Sequence, residues 1–148
     1  MITSIFSKSK SINFIIVFFI SLLAFLVARK GFIDETITFQ FIIKELGIFF
    51  TCYISILLLN FIVSKNSLTN KNNYEVLLFS LFLLAITQTT SHNNIILSNF
   101  FVLLSLRRII SLRSQTSIKK KLFDAAFCIG IATLLYFWAI LFLSLIHI

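Results

Sequence analysis

The sequence predicts an all-α membrane protein with about five transmembrane helices. Its N-terminus is expected in the cytoplasm, and a short amphipathic helix is expected at the interface after the first span. Three observations predict this. Of 148 residues, 59% are apolar and 12% are charged, against about 45–50% and about 25% in soluble domains. The mean hydropathy is +1.03, and the apolar residues fall in runs of bilayer length. The basic residues divide unevenly between the connections. Eighteen charged side chains cannot coat a water-soluble fold of this length. A secreted disulfide scaffold, a nucleic-acid-binding domain and a disordered tail are thereby excluded.

A hydrocarbon core takes about 20 apolar residues as helix, with a range of about 17–25. Only helix satisfies the backbone there, because an open sheet edge finds no water. The first span covers 11–28, between Lys8, Lys10 and Arg29, Lys30. It is too long for a signal-peptide core, and its exit Val27-Ala28-Arg29-Lys30 offers no small-residue cleavage site, so it is read as uncleaved. After it, Ile37, Phe39, Phe41, Ile42 and Ile43 interleave with Thr38, Gln40, Lys44 and Glu45, the pattern of an interfacial amphipathic helix. The second span covers 46–63. The third covers 74–90 and runs into the polar cluster Thr89-Thr90-Ser91-His92-Asn93-Asn94. The fourth, 95–110, has twelve residues before Arg107-Arg108 and continues through Ile110 if the arginines snorkel. The fifth covers 122–146. All five are assigned to one transmembrane domain over 1–148. The last run ends without a polar or basic flank, which predicts the N-terminal half of a longer bundle.

Lysine and arginine set the orientation. With five spans and the N-terminus inside, ten basic residues are cytoplasmic and three are external. The fourth connection alone holds Arg107, Arg108, Arg113, Lys119, Lys120 and Lys121. These six are read as a topological anchor that also meets anionic lipid headgroups. No aromatic interleaving or glycine-rich cradle accompanies them, so no nucleic-acid partner is expected. Asp124 follows them and is expected to pair with a cation of the same loop.

Polar residues within the spans are the remaining candidates. Ser80, Thr87, Gln88 and Ser91 share one face of a continuous third helix. Thr51, Ser55 and Asn60 lie in the second span, and Ser98, Asn99 and Ser105 lie in the fourth. Ala126 and Gly130 form a small-xxx-small step suited to close helix contact. Interhelical hydrogen bonding is the expected role of the polar groups, and a lined path for a transported small molecule is the alternative. Cys52 and Cys128 sit alone in apolar runs and read as core residues. The sequence calls for no metal and no cofactor.

The external loop after span one holds Asp34 and Glu35. An external acid just beyond the first span resembles the placement of the catalytic acid in multi-span glycosyltransferases that use lipid-linked sugars. Asp34 or Glu35 would then deprotonate an acceptor hydroxyl or hold a divalent cation. The leading reading of the pair is a solvated loop flank without chemistry. His92 belongs to an Asn-rich outer turn, with catalysis as its alternative.

The opening Met1-Ile2-Thr3-Ser4-Ile5-Phe6-Ser7-Lys8-Ser9-Lys10-Ser11-Ile12-Asn13-Phe14 resembles the start of an uncharacterised family of multi-pass inner-membrane proteins from flavobacteria and their relatives. Ser98-Asn99-Phe100-Phe101, Leu106-Arg107-Arg108-Ile109 and Lys121-Leu122-Phe123-Asp124-Ala125 are similar to the same family. The family carries a domain-of-unknown-function label, so the resemblance implies location and topology and no activity. The leading expectation is a multi-pass protein of the bacterial inner membrane that is non-catalytic or of unassigned activity, with the glycosyltransferase-like enzyme as the alternative.

Overall fold

The computed structural model describes residues 6, 10–29, 38–69, 72–115 and 117–146. All regular structure among them is helical. The elements are α1 (Ser11–Ala28), α2 (Phe39–Lys65), α3 (Tyr74–Ala85), α4 (Thr87–Ser91) and α5 (Asn93–Ile110). A 3-10 turn (Ser111–Ser114), α6 (Ile118–Leu135) and a 3-10 helix (Phe137–Ile146) follow. Among the described residues, three helices are long and apolar enough to cross a membrane: α1, α2 and the stretch Asn93–Arg113. The chain forms two compact units, Met1–Asn93 and Asn94–Ile148.

In the first unit, α1 packs on α2, α3 and α4, and α3 packs on α2. The buried positions of α1 are Asn13, Val17, Ser21, Ala24 and Phe25, a stripe at three- and four-residue spacing. Phe6, Val17, Ile56 and Val76 form the centre of the core, with Tyr53, Tyr74, Leu77 and Phe79 around them. Phe18 stands edge-on to Phe49 and to Tyr53 at 5.5 and 5.2 Å, the geometry that ring quadrupoles favour. Phe6 carbonyl accepts from the Asn73 N–H at 3.0 Å, which clips the N-terminal stretch to the entry of α3.

Beside this apolar core, Asn13, Ser21, Ser55 and Ser80 are each 1% exposed or less, whereas Phe19 is 62% and Leu26 60% exposed. An apolar exterior of this kind is compatible with a membrane setting.

Two expected elements take a different form. Residues 39–45 do not make a separate interfacial helix. They are the first turns of α2, whose 27 residues span about 40 Å, close to the full bilayer with its headgroups. No proline interrupts this stretch, and Gly47 sits in open space inside the helix, so nothing stops the hydrogen-bond ladder. The expected third span over 74–90 is two helices. The backbone leaves helical angles at Ile86 (φ −110°, ψ 76°). In the run that follows, Thr89, Thr90 and Ser91 turn their hydroxyls onto the backbone, a known competitor of helix. Thr89 Oγ1 donates to Ile86 O at 2.7 Å, and Thr90 Oγ1 reaches across the break to Leu83 O at 3.3 Å.

In the second unit, α5 and α6 form an antiparallel hairpin. Ser98 Oγ on α5 donates to Ala132 O on α6 at 3.0 Å, and Arg108 meets Asp124 at 3.2 Å, so positions rise on one helix as they fall on the other. Ala125, Ile129 and Ala132 are the buried side of α6. Ala126 and Gly130 are exposed, and nothing lies within 4 Å of where a Gly130 Cβ would stand. The small-xxx-small step therefore does not mediate the expected helix contact within this unit. The stretch expected as a fifth span is also divided. Tyr136 is extended (φ −147°, ψ 108°) between α6 and the 3-10 helix, where Tyr136-Phe137-Trp138 puts three aromatics of modest helix propensity in a row.

The end of α2 yields a stability prediction. Leu68 N–H bonds Val63 O at 3.1 Å and Ser67 N–H bonds Ser64 O at 3.3 Å, the paired bonds of a Schellman motif. Its left-handed position holds Ser67 at φ 50°, where a Cβ is penalised and glycine is not. Ser67→Gly is expected to stabilise the protein by about 0.5–1 kcal/mol, read as a higher apparent Tm in detergent. An unchanged or lower Tm would contradict this account of the cap.

Candidate functional site

Asp34 and Glu35 lie outside the described residues. What the structure describes is the pair of helix ends on either side of them. Arg29 terminates α1, its N–H bonding Leu26 O at 3.3 Å. Its guanidinium forms an ion pair with Glu45 of α2 and donates to Asn93 Oδ1 at the start of α5. The same cation stands 4.6 Å above the Phe25 ring, the favourable face of the quadrupole. The Arg29 and Glu45 side chains are only 12% and 16% exposed. Burial pushes the Arg29 guanidinium below its ordinary value, and the charge and hydrogen bond of Glu45 oppose it. An arginine in this setting remains charged. The clasp thus joins the ends of α1 and α2 on both sides of the Asp34–Glu35 loop and ties them to Asn93.

His92 is exposed between α4 and α5 and takes no part in the clasp. Cys52 is buried and Cys128 half-buried, and both are free thiols. The expected shared face of Ser80, Thr87, Gln88 and Ser91 is broken at Ile86, and the Ser80 and Ser91 hydroxyls turn inward on their own helices. Ser80 Oγ donates to Leu77 O at 2.8 Å and Ser91 Oγ to Gln88 O at 3.0 Å. Ser55 Oγ likewise donates to Thr51 O at 2.8 Å. Ser98 does bridge two helices, as the interhelical reading expected, and so does the Tyr53 hydroxyl, which reaches Phe14 O at 3.4 Å.

The basic hairpin is the most charged feature of the second unit. Arg107, Arg108, Arg113, Lys119 and Lys120 are exposed, and Lys121 Nζ donates to Ser111 O at 2.8 Å across the turn. Asp124 pairs with Arg108, a cation of the same loop, as expected. Gln115 and Ser117 both adopt left-handed φ near the turn, at 51° and 50°. This lets a short connection fold the cations of α5 and α6 onto one end of the hairpin. Toward the other end of the hairpin, a groove of about 540 Å³ opens between α5 and the 3-10 helix, walled by Ile95, Val102, Leu141 and Phe142 and edged by Asn99, Tyr136 and Trp138.

Three of these features escape a reading of the sequence. Glu45 offsets a loop charge there, and Asn93 reads as a turn former; their shared partner Arg29 is distant in sequence. Glu75 draws no attention, yet one of its carboxylate oxygens is buried with no hydrogen-bond partner among the described residues. A carboxylate inside a long apolar run is the one available signal, and Glu45 and Glu75 both carry it.

No family model, no curated protein and no solved structure matches the chain.

The clasp predicts a non-additive response. Glu45→Gln leaves the Arg29 cation in place without its countercharge and is expected to destabilise by about 2–3 kcal/mol. The double replacement Arg29→Met with Glu45→Met should cost less than the two single replacements together. Reversible unfolding in mixed micelles supplies the cycle, and additive effects would show that the pair is not coupled.

Proposed function

We propose that the chain is a multi-pass integral protein of the bacterial inner membrane, crossing five times from a cytoplasmic N-terminus. It serves as a membrane bundle rather than an enzyme, and it holds its basic hairpin against anionic headgroups. The observation that carries this reading is the apolar exterior of the helices: Phe19, Leu26, Phe82 and Phe127 face outward, while the small polar Ser21, Ser55 and Ser80 lie inside beside the apolar core. Water would penalise that arrangement at roughly 25 cal/mol for each Å² of apolar surface left wet.

Five crossings accommodate two broken helices. The α3–α4 stretch and the α6 stretch with its 3-10 helix each contain a bend whose freed groups find partners, the condition under which broken helices are tolerated in membranes. The clasp supports the alternation of loops, since the exit of span one, the entry of span two and Asn93 of the third connection meet at one end of the first unit. Five exposed cations at the hairpin, worth about 1 kcal/mol each at an anionic surface, favour the cytoplasmic leaflet for that end.

Single cysteines test the topology in a background with Cys52→Ala and Cys128→Ala. Thr69→Cys and Lys119→Cys are expected to react with an impermeant maleimide only from the cytoplasmic side, and His92→Cys only from outside. Labelling of Lys119→Cys from the periplasmic side would overturn the proposed orientation.

A further inference from the structure

We propose that the groove between α5 and the 3-10 helix holds one acyl chain of a neutral-ester glycerolipid, with Asn99 donating to the ester carbonyl. This rests on the membrane reading above and adds a ligand to it. The groove is about 540 Å³, within the range of about 300–1,000 Å³ typical of small-ligand sites. Its floor is Ala139, 3% exposed, whose single methyl leaves the space open. Val102, Leu141 and Phe142 wall it with hydrocarbon, so a chain entering there exchanges one apolar contact for another and is held by fit.

Polarity decides which chain. Ser98 also lines the groove, but its hydroxyl proton is committed to Ala132 O. Asn99 is half-buried at the groove and makes no hydrogen bond to a described residue. An amide at lipid depth without a partner is costly. Asn99 stands six residues into α5, about 9 Å along the axis, and the headgroup zone on each side of the hydrocarbon is about 5–7 Å thick. The amide is therefore level with the junction of headgroup and hydrocarbon, where the ester carbonyls of a glycerolipid lie. Tyr136 and Trp138, residue types suited to that junction, stand beside it. No charged side chain is among the described residues lining the groove. A fatty-acid carboxylate or a lipid phosphate would have no counterion there, whereas an uncharged ester needs one donor and finds it.

Trp138 is the one tryptophan of the chain and lies on the groove, so its fluorescence reports occupancy directly. The full chain is placed in vesicles of an ether-linked dialkyl phosphatidylcholine and titrated with a diacyl phosphatidylcholine brominated on its chains. Quenching is expected to rise steeply and saturate, ahead of the proportional quenching of a membrane-dissolved tryptophan ester. Asn99→Leu should move half-saturation up about threefold to tenfold, the weight of one hydrogen bond. Ala139→Phe should fill the floor and remove the saturable phase, while Ala139→Gly should keep it. Quenching that is merely proportional to the brominated fraction would overturn the site. A brominated fatty acid that saturates at a lower fraction than the diacyl lipid would overturn the ester assignment. Alkaline carbonate separates the two levels: release of the protein overturns the membrane reading, whereas retention with proportional quenching overturns the groove alone.

Discussion

A bilayer supplies no hydrogen bonds, so each polar group at hydrocarbon depth must find its partner inside the chain. The side-chain chemistry of the helices follows from that constraint. The hydroxyls of Ser21, Ser55, Ser80 and Thr133 bond carbonyls three or four residues back on their own helix. Each is satisfied before any tertiary contact forms, so a serine can be buried at little cost. That is why small polar residues occupy the packed faces and large apolar ones face outward. It also limits what those hydroxyls can do for a solute, since their protons are already committed.

Local satisfaction leaves few directional contacts between helices. Tyr53 Oη to Phe14 O at 3.4 Å and Ser98 Oγ to Ala132 O at 3.0 Å are such contacts. The remaining specificity comes from ring geometry, as between Phe18, Phe49 and Tyr53, and from charge at the helix ends. The two ends use charge differently. Arg29 and Glu45 neutralise each other where both are nearly buried, and Asn93 accepts a second guanidinium N–H, while Arg29 Nε has no partner among the described residues. At the hairpin Arg108 and Asp124 are about half exposed, so their mutual attraction is worth little and the surrounding cations dominate. One end is a structural fastening and the other is a charged surface.

Much of this was legible in the residues. The apolar runs located α1, α2 and α5 closely, and Arg107 and Arg108 do sit in the last turn of α5 rather than beyond it. Asp124 found its cation because only one loop offered any nearby. The interfacial helix expected over 37–45 was not legible as part of α2, because amphipathic spacing looks the same whether a helix stops or continues. Nor was the clasp, which joins Arg29 and Glu45 of one connection to Asn93 of another. Asp34 and Glu35, the acids on which an enzymatic reading depended, fall in a stretch the structure does not describe.

The two helix breaks mark the limit of hydropathy as a guide. A hydropathy sum treats 74–90 and 122–146 as uniform, yet the backbone departs from helix at Ile86 and Tyr136. Neither site holds proline or glycine, so the usual signals are missing. At Ile86 the cause is competition: four of the next five side chains carry hydroxyls able to bond the backbone, and Thr90 supplies the donor that Leu83 O would otherwise lack. At Tyr136 the N–H still bonds Ala132 O at 2.9 Å while that carbonyl also receives Ser98. One carbonyl with two lone pairs thus ends α6 and docks α5 at the same point. The bend turns the following aromatics away from the α6 axis, which is what opens the groove beside Asn99.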